Sequence, residues 1–238
     1  MPKLGVNIDH VATLRQARRE FVPDPLEAVK ICERAGAHSI VAHLREDRRH
    51  INDQDIKRIR QAVRARFNLE MSMNPGIVKI ATLVKPDLAT LVPERRAEVT
   101  TEGGLDVVTN LLRIKRAIAI LQDRGIPVSL FIDPVQRQVE YARKSGAEGI
   151  EFHTGQYARA KTPKQIKTEL QKIRAMMKFA QHVGLVVSAG HGLNYENTLA
   201  IAGIPGITEL NIGHSIISRA VFVGLEKAVK EMLHLMRG

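Results

Sequence analysis

The sequence contains no tryptophan, and aromatic residues make up only 4% of its 238 residues, so its core must be built from Ile, Val, Leu, Ala and Met. A single cysteine, Cys32, excludes an internal disulfide framework and a cysteine-based metal cluster. Cys32 lies on the apolar face of a predicted helix over residues 26–36, where a buried thiol is favoured over a nucleophile.

Long hydrophobic runs are also missing. No uninterrupted apolar stretch approaches the length of a membrane span, and Asn7, Asp9 and His10 interrupt the first apolar segment. We therefore expect a cytoplasmic protein with no membrane partner.

Several catalytic motifs are absent. No lysine lies at the carboxyl end of a predicted strand, which argues against a Schiff base formed by the protein. No Gly-x-Ser-x-Gly hydrolase elbow and no His-x-His or His-Glu-x-x-His metal pattern occurs. The first strand is not followed by Gly-x-Gly-x-x-Gly, which weakens a dinucleotide-binding alternative.

Charge of one sign predominates, since 36 Lys and Arg residues against 25 Asp and Glu residues give a net charge of +11. Such a surface attracts anions, either nucleic acid or phosphorylated metabolites. The basic stretch 43–50 also carries acidic residues, and aromatic residues are scarce, so a nucleic-acid partner is disfavoured. We expect small phosphorylated substrates.

Short apolar segments alternate with amphipathic helical patterns along the whole chain. This alternation is typical of parallel strands joined by right-handed crossovers, and eight such units favour a closed α/β (β/α)8 TIM barrel formed by residues 1–238 as a single domain. The predicted strands are 4–9, 39–45, 67–72, 88–93, 127–133, 149–154, 184–189 and 207–213. The predicted helices include 26–36, 53–66, 75–84, 134–145, 195–202 and 215–236, with apolar stripes over 111–121 and 166–180.

Polar side chains accumulate at the carboxyl ends of these strands, where barrel enzymes place their active sites. A lone residue of this kind is more often a satisfied polar cap, but the pattern repeats on five or more strands. The residues are Asn7, Asp9, His10, His43, Arg45, Glu70, Glu151, His153, His191, Asn211 and His214. Glu70 is the strongest candidate for a functional role, because a glutamate that faces the barrel interior needs an oppositely charged partner or a raised pKa.

Two glycine-containing turns resemble phosphate cradles. Residues 211–215 end the last strand and open the last helix, and residues 189–193 follow strand seven. Arg15, Arg18 and Arg19 follow strand one, and any of them is a candidate phosphate clamp. The segment after strand four, 93–104, is long and rich in hydroxyl groups, which suggests a mobile cover over the site.

Unusual strings extend along the chain and resemble the pyridoxine 5′-phosphate synthase family. They are GVNIDHVATLR (5–15), HLREDRRHI (43–51), LVPE (91–94), TTEGGLDV (100–107), VSLFID (128–133), HTG (153–155), AGHGL (189–193) and ELNIGH (209–214). The resemblance covers essentially the whole sequence. Arg19 is a departure, since the family more often has a small residue there.

The resemblance implies a barrel with extra short helices that assembles as a homo-octamer. It also implies a transferase that uses no cofactor and no metal. The reaction would condense 1-deoxy-D-xylulose 5-phosphate with 3-amino-2-oxopropyl phosphate, giving pyridoxine 5′-phosphate, phosphate and water in vitamin B6 biosynthesis. The proton transfers of such a ring closure suit imidazoles and carboxylates with pKa values near neutrality.

The resemblance also implies residue roles. His43 and Glu70 would accept protons, His191 would donate one, and Glu151 would stabilise charge in the transition state. The amino-ketone phosphate would be held by Asn7, Arg18, Gly192, Gly213 and His214. The deoxyxylulose phosphate would be held by Asp9, His10, Arg45, His50 and Thr100.

Two other functions stay open at this point. One is a divalent-metal barrel aldolase or epimerase acting on a sugar phosphate, with ligands among His43, Glu70, His153 and His191. The other is a basic RNA- or DNA-binding protein, whose binding would depend strongly on salt.

Overall fold

Eight parallel strands close into a barrel in the order β1 to β8, as the computed structural model shows for residues 1–94 and 103–238, the part of the chain that the structure describes. The strands are β1 Lys3–Asn7, β2 Ser39–Leu44, β3 Arg66–Met71, β4 Leu88–Leu91, β5 Val128–Ile132, β6 Gly149–His153, β7 Val186–Gly190 and β8 Glu209–Ile212. The predicted (β/α)8 TIM barrel is therefore confirmed, with every predicted strand present.

Helices surround the barrel, and some connections carry more than one. They are α1 Asp9–Arg18, α2 Pro25–Ala35, α3 Asp53–Ala62, α4 Pro75–Val84, α5 Val107–Gln122, α6 Gln136–Ser145, α7 Gly155–Arg159, α8 Pro163–His182, α9 Thr198–Ala202, α10 His214–Val223 and α11 Leu225–Arg237. The extra short helices are thus present. Within the described residues, none of the helices combines the length and apolar character that crossing a bilayer requires.

Short polar side chains start several of the outer helices. The Asp24 carboxylate accepts a hydrogen bond from the Leu26 N–H, and Asn74 accepts one from the Gly76 N–H, in each case just before a proline. Such caps satisfy N–H groups that the helix itself leaves unpaired. The local sequence therefore fixes where these two helices begin.

Several boundaries differ from the sequence-based expectation, and three of these differences change the description of an element. The helix predicted over 215–236 is divided at Gly224, whose φ of 83° and ψ of 149° are not helical. The helix predicted over 53–66 ends at Ala62, because Val63 adopts an extended conformation. Strand one ends at Asn7, so Asp9 and His10 open α1 and are not strand residues.

Arg15 is turned into the protein, where it forms a buried ion pair. Its guanidinium nitrogens lie 2.7 Å from both carboxylate oxygens of Asp55, and one also donates to the His50 carbonyl at 3.1 Å. The side chains of Arg15 and Asp55 are only 8% and 4% exposed. Arg15 therefore supports the segment that carries His50, and the expectation that it is a candidate phosphate clamp is wrong.

The strand register brings the polar strand ends to one rim of the barrel. His43 of β2 pairs with Glu70 of β3, and Gly190 of β7 pairs with Asn211 of β8. Gly5 pairs with Asn211 across β1 and β8, and a side chain at Gly5 would meet the Ser39 hydroxyl at 2.7 Å. The absence of a side chain there leaves room for polar groups inside the barrel.

Candidate active site

Three carboxyl groups from separate elements meet at the carboxyl-end rim of the barrel. Asp9 opens α1, Glu70 lies near the end of β3, and Glu151 lies in β6. Asn7 connects the first two, because its amide nitrogen donates to Asp9 Oδ2 at 2.9 Å and lies 3.5 Å from Glu70 Oε2. We call Asp9, Glu70 and Glu151 the carboxyl cluster.

Burial governs the protonation of Asp9. The residue is 7% exposed. Burial raises its pKa to about 7, although hydrogen bonds from the His43 N–H and the Asn7 amide, together with the charge of Arg45, act in the opposite direction. Both the protonated and the ionised form of Asp9 are therefore populated near neutral pH.

Glu151 and Glu70 are shifted in the same direction. Glu151 is 2% exposed, and burial raises its pKa to about 8 in spite of a 2.5 Å hydrogen bond from the Asn211 amide to its Oε2; the charge of Glu209 adds to the rise. The pKa of Glu70 lies well above its ordinary value because of burial and then the charges of Glu151 and Asp9. Ionisation of Glu151 or Asp9 therefore opposes ionisation of Glu70.

The imidazoles at the same rim are shifted the opposite way. Burial lowers the pKa of His43 to about 3 and those of His50 and His191 to about 4. Neighbouring positive groups add to the fall, with Arg45 acting on His50 and Arg159 acting on His191. At neutral pH these rings are neutral, while the carboxyl cluster retains protons. Our expectation of imidazole pKa values near neutrality is therefore not met.

The rim beside β2 carries an arginine and two histidines. The rings of His43 and His50 lie 6.1 Å apart, and His50 Nδ1 accepts the Ile51 N–H at 2.9 Å. The Nε2 atom of His43 is buried without a hydrogen-bond partner in the described parts of the chain and lies 3.9 Å from a Glu94 oxygen. Arg45 lies 3.6 Å from the same carboxylate, so this group of basic side chains faces Glu94.

The part of the rim formed by β7 and β8 carries two turns. Gly213 joins β8 to α10, and the His214 ring that follows it lies 5.0 Å from the His10 ring. His191 and Gly192 follow β7 with φ of 76° and 79°, both in the left-handed region. A side chain at Gly192 would lie 2.6 Å from the Ala158 methyl carbon, so glycine is required there for both reasons.

Asp9, His43 and Glu70 also form a possible metal-ligand set, because one ligand atom from each lies within 4.8 Å of the others. A cation there would have to displace protons from Asp9 and Glu70, whose pKa values are raised. His153 does not join this group, since its Nδ1 lies 2.8 Å from Asp133 Oδ1 and its ring packs against His191. The metal ligands that we considered are therefore not brought together as one set.

Comparison with known proteins places the chain in a family. The family model described as pyridoxal phosphate biosynthesis protein PdxJ matches residues 4–238. The chain belongs to the PdxJ family. It is 56% identical over 237 residues to a pyridoxine 5′-phosphate synthase from Geotalea uraniireducens (strain Rf4), covering 100% of this chain and 99% of that protein. It is also 56% identical over 236 residues to one from Synechococcus sp. (strain JA-2-3B'a(2-13)), covering 99% of both chains.

Solved structures show the same fold at low sequence identity. KGPDC from Streptococcus mutans has a TM-score of 0.67 and 14% identity, with 100% of this PdxJ chain and 98% of that chain covered. The 3-hexulose-6-phosphate synthase from Salmonella typhimurium has a TM-score of 0.68 and 14% identity, with 98% of each chain covered. These similarities concern the barrel alone.

Most of the site residues inferred for this PdxJ chain lie at the rim. The structure brings together the four catalytic candidates and most of the binding candidates, which are His43, Glu70, Glu151, His191, Asn7, Asp9, His10, Arg45, His50, Gly192, Gly213 and His214. Arg18 lies exposed on the last turn of α1, without a hydrogen bond or ion pair to these residues in the described parts of the chain. Thr100 and most of the cover segment lie outside the described residues. The roles themselves remain predictions.

Two residues at this rim were not singled out from the sequence. Glu94 follows β4 and faces His43 and Arg45. Asp133 follows β5 and holds His153. Both stand at the end of a predicted strand, so the rule that selected the other residues would have found them if it had been applied to every strand.

Replacing Glu151 with Gln tests the protonation of the carboxyl cluster. The protonated form of Glu151 stabilises the fold below its unfolded pKa of about 4.5, and this stabilisation is lost as the pH rises through about 8. We expect Glu151→Gln, which cannot ionise, to exceed the wild type in free energy of unfolding by about 1 kcal/mol or more at pH 9, and by less at pH 5. Chemical denaturation at both pH values measures this.

The exposed variant Glu196→Gln is the matched control and should leave the pH dependence unchanged. An identical pH slope for Glu151→Gln and wild type would show that Glu151 ionises normally.

Proposed function

We propose that this chain is a pyridoxine 5′-phosphate synthase, a transferase of vitamin B6 biosynthesis. It would condense 1-deoxy-D-xylulose 5-phosphate with 3-amino-2-oxopropyl phosphate to pyridoxine 5′-phosphate, phosphate and water. The observation that carries the proposal is the convergence of protonated carboxyls and neutral imidazoles on one barrel rim. Membership of the PdxJ family and the names of its relatives support the same reaction.

The combination of protonated carboxyl groups and neutral imidazoles suits a condensation between an amine and a ketone. A neutral His43 accepts a proton at pH 7, which an imidazolium could not do. Once ionised, Glu70 is a stronger base than an ordinary glutamate, because its pKa is raised. Protonated Glu151 offers a hydrogen bond to an oxygen on which negative charge develops. His191 is neutral at pH 7 because its pKa is lowered, so it would donate a proton from the N–H group of a neutral imidazole. The amine comes from the substrate, so no protein lysine is required.

The two phosphates would be held by two neighbouring sets of residues on the rim, in contact through Asn7 with Asp9 and through His214 with His10. Asn7, Arg18, Gly192, Gly213 and His214 would bind the amino-ketone phosphate, with the first N–H groups of α10 directed at the anion.

Asp9, His10, Arg45, His50 and Thr100 would bind the deoxyxylulose phosphate. The net charge of +11 assists the approach of both dianions.

We also propose that residues 1–238 form a single cytoplasmic domain that assembles as a homo-octamer, acts without metal or cofactor, and binds no nucleic acid. Two apolar pairs support the assembly. Phe21 and Val22 are 90% and 71% exposed, and Phe222 and Val221 are 83% and 67% exposed. Large apolar side chains at such exposure are what a subunit interface covers.

The activity is tested by incubating the protein with both phosphates and following pyridoxine 5′-phosphate by its absorbance. We expect His43→Ala, Glu70→Gln and His191→Ala to fold normally and to lose turnover by about a hundredfold or more, since each removes a proton-transfer group. His182→Ala, at the exposed end of α8, is the matched control and should keep full activity. Full activity in all three site variants would refute the proposed roles.

The same assay separates the metal-dependent alternative. If Asp9, His43 and Glu70 held an essential cation, a chelator would abolish activity and metal analysis of the purified protein would find the ion. We expect turnover to be unchanged by the chelator.

The assembly is tested by sedimentation velocity. We expect a particle of eight times the chain mass, and we expect replacement of Phe21 and Phe222 by Ser to shift it to smaller species. A monomeric wild type would contradict the proposed octamer, and an octamer that both substitutions leave intact would show that the interface lies elsewhere.

A further inference from the structure

Two residues next to His191 have no part in the proposed reaction, yet they form a connected unit with it, in which His153 is fully buried and the Asp133 side chain is 42% exposed. We infer that Asp133 and His153 are positioning residues that fix the ring orientation and the proton-donating state of His191. The inference rests on the proposed function insofar as His191 donates a proton there. His153 is the last residue of β6, and Asp133 directly follows β5.

A carboxylate fixes the tautomer of His153. The His153 ring is fully buried, and its Nδ1 lies 2.8 Å from Asp133 Oδ1. This hydrogen bond is the largest influence on the pKa of Asp133, which lies below its ordinary value, so Asp133 is an ionised acceptor at neutral pH. His153 therefore carries its proton on Nδ1 when its ring is neutral, and its Nε2 is an acceptor.

The surroundings of His153 hold the ring in one place. Its Nε2 is buried without a hydrogen-bond partner among the described residues, and a side chain at Gly155 would come within 2.8 Å of its Cε1 atom. The centre of the Phe131 ring lies 5.2 Å from the centre of the His153 ring. A ring this confined, with a polar atom left unpaired, has a cost that core packing alone does not explain.

The same segment holds both the ring and the backbone of His191. The two imidazoles pack edge to face with ring centres 5.0 Å apart. The next residue, Thr154, donates its hydroxyl to the His191 carbonyl at 2.6 Å, which supports the left-handed backbone of His191. His153 and Thr154 therefore hold the turn after β7 in place.

The charges that reach His191 come from this unit and from one arginine. Burial is the largest cause of the fall in the pKa of His191 to about 4, and the next causes are His153 and then Arg159. Phe131, the other ring near His191, is uncharged. Removing His153 leaves the burial in place and takes away the larger of the two electrostatic influences.

The test uses Asp133→Asn and His153→Gln in the full chain, with the exposed Asp123→Asn as matched control. Deuterium exchange at the imidazole C2 position, followed by peptide mass spectrometry, gives the pKa of each histidine without requiring turnover. We expect the pKa of His191 to rise by about one unit in His153→Gln. We expect kcat to fall about tenfold or more in both site variants, with KM for each phosphate nearly unchanged, because an imidazole that loses its orienting partner donates less effectively. Asp133→Glu should recover part of kcat.

Full kcat together with an unchanged His191 pKa in both site variants would overturn the inference. A raised KM with normal kcat would do the same, because it would assign the pair to substrate binding. If His153→Gln fails to fold, Asp133→Asn decides through kcat and its recovery by Asp133→Glu. Absence of pyridoxine 5′-phosphate formation by wild type would instead refute the proposed function, while the pKa of His191 would still report on the positioning unit.

Discussion

Three carboxyl groups buried at one barrel rim cannot all ionise, and the arrangement of the site depends on this constraint. Each of Asp9, Glu70 and Glu151 is held toward its protonated form mainly by burial, and neighbouring acidic charges add to this effect at Glu70 and Glu151. Amide donors offset only part of this cost, with Asn7 at Asp9 and Asn211 at Glu151. Carboxyl groups of the site therefore remain protonated at neutral pH.

The neutral histidines are the counterpart of these protonated acids. Acids that hold their protons and imidazoles that lack them can exchange protons in both directions at neutral pH. Such a site suits a substrate that contains an amine, because the carboxyl cluster can form hydrogen bonds with the amine and exchange protons with it. The barrel provides the geometry, since these side chains come from several strands and the segments that follow them, and the strand register holds them at one rim.

Much of this could be predicted from the sequence, for identifiable reasons. The strands were found because each is a short apolar segment bounded by Gly, Pro or charge, and the polar residues of the rim were found because parallel strands end at one rim. The division of the last helix at Gly224 was missed because the apolar pattern continues across it. Arg15 was misjudged because its partner Asp55 is 40 residues away, and sequence spacing does not report such contacts. The opposed pKa shifts depend on burial in three dimensions, which composition cannot give.

The central claim is that the carboxyl cluster holds protons at neutral pH. Difference infrared spectroscopy detects it directly, because the C=O stretch of a protonated carboxyl is separate from the bands of a carboxylate. The account predicts a protonated-carboxyl band at pH 6 that weakens as the pH rises past about 8 and that is weaker at pH 6 in Glu151→Gln than in the wild type. A spectrum at pH 6 with only ionised carboxylates, or a band that Glu151→Gln leaves unchanged, would contradict it.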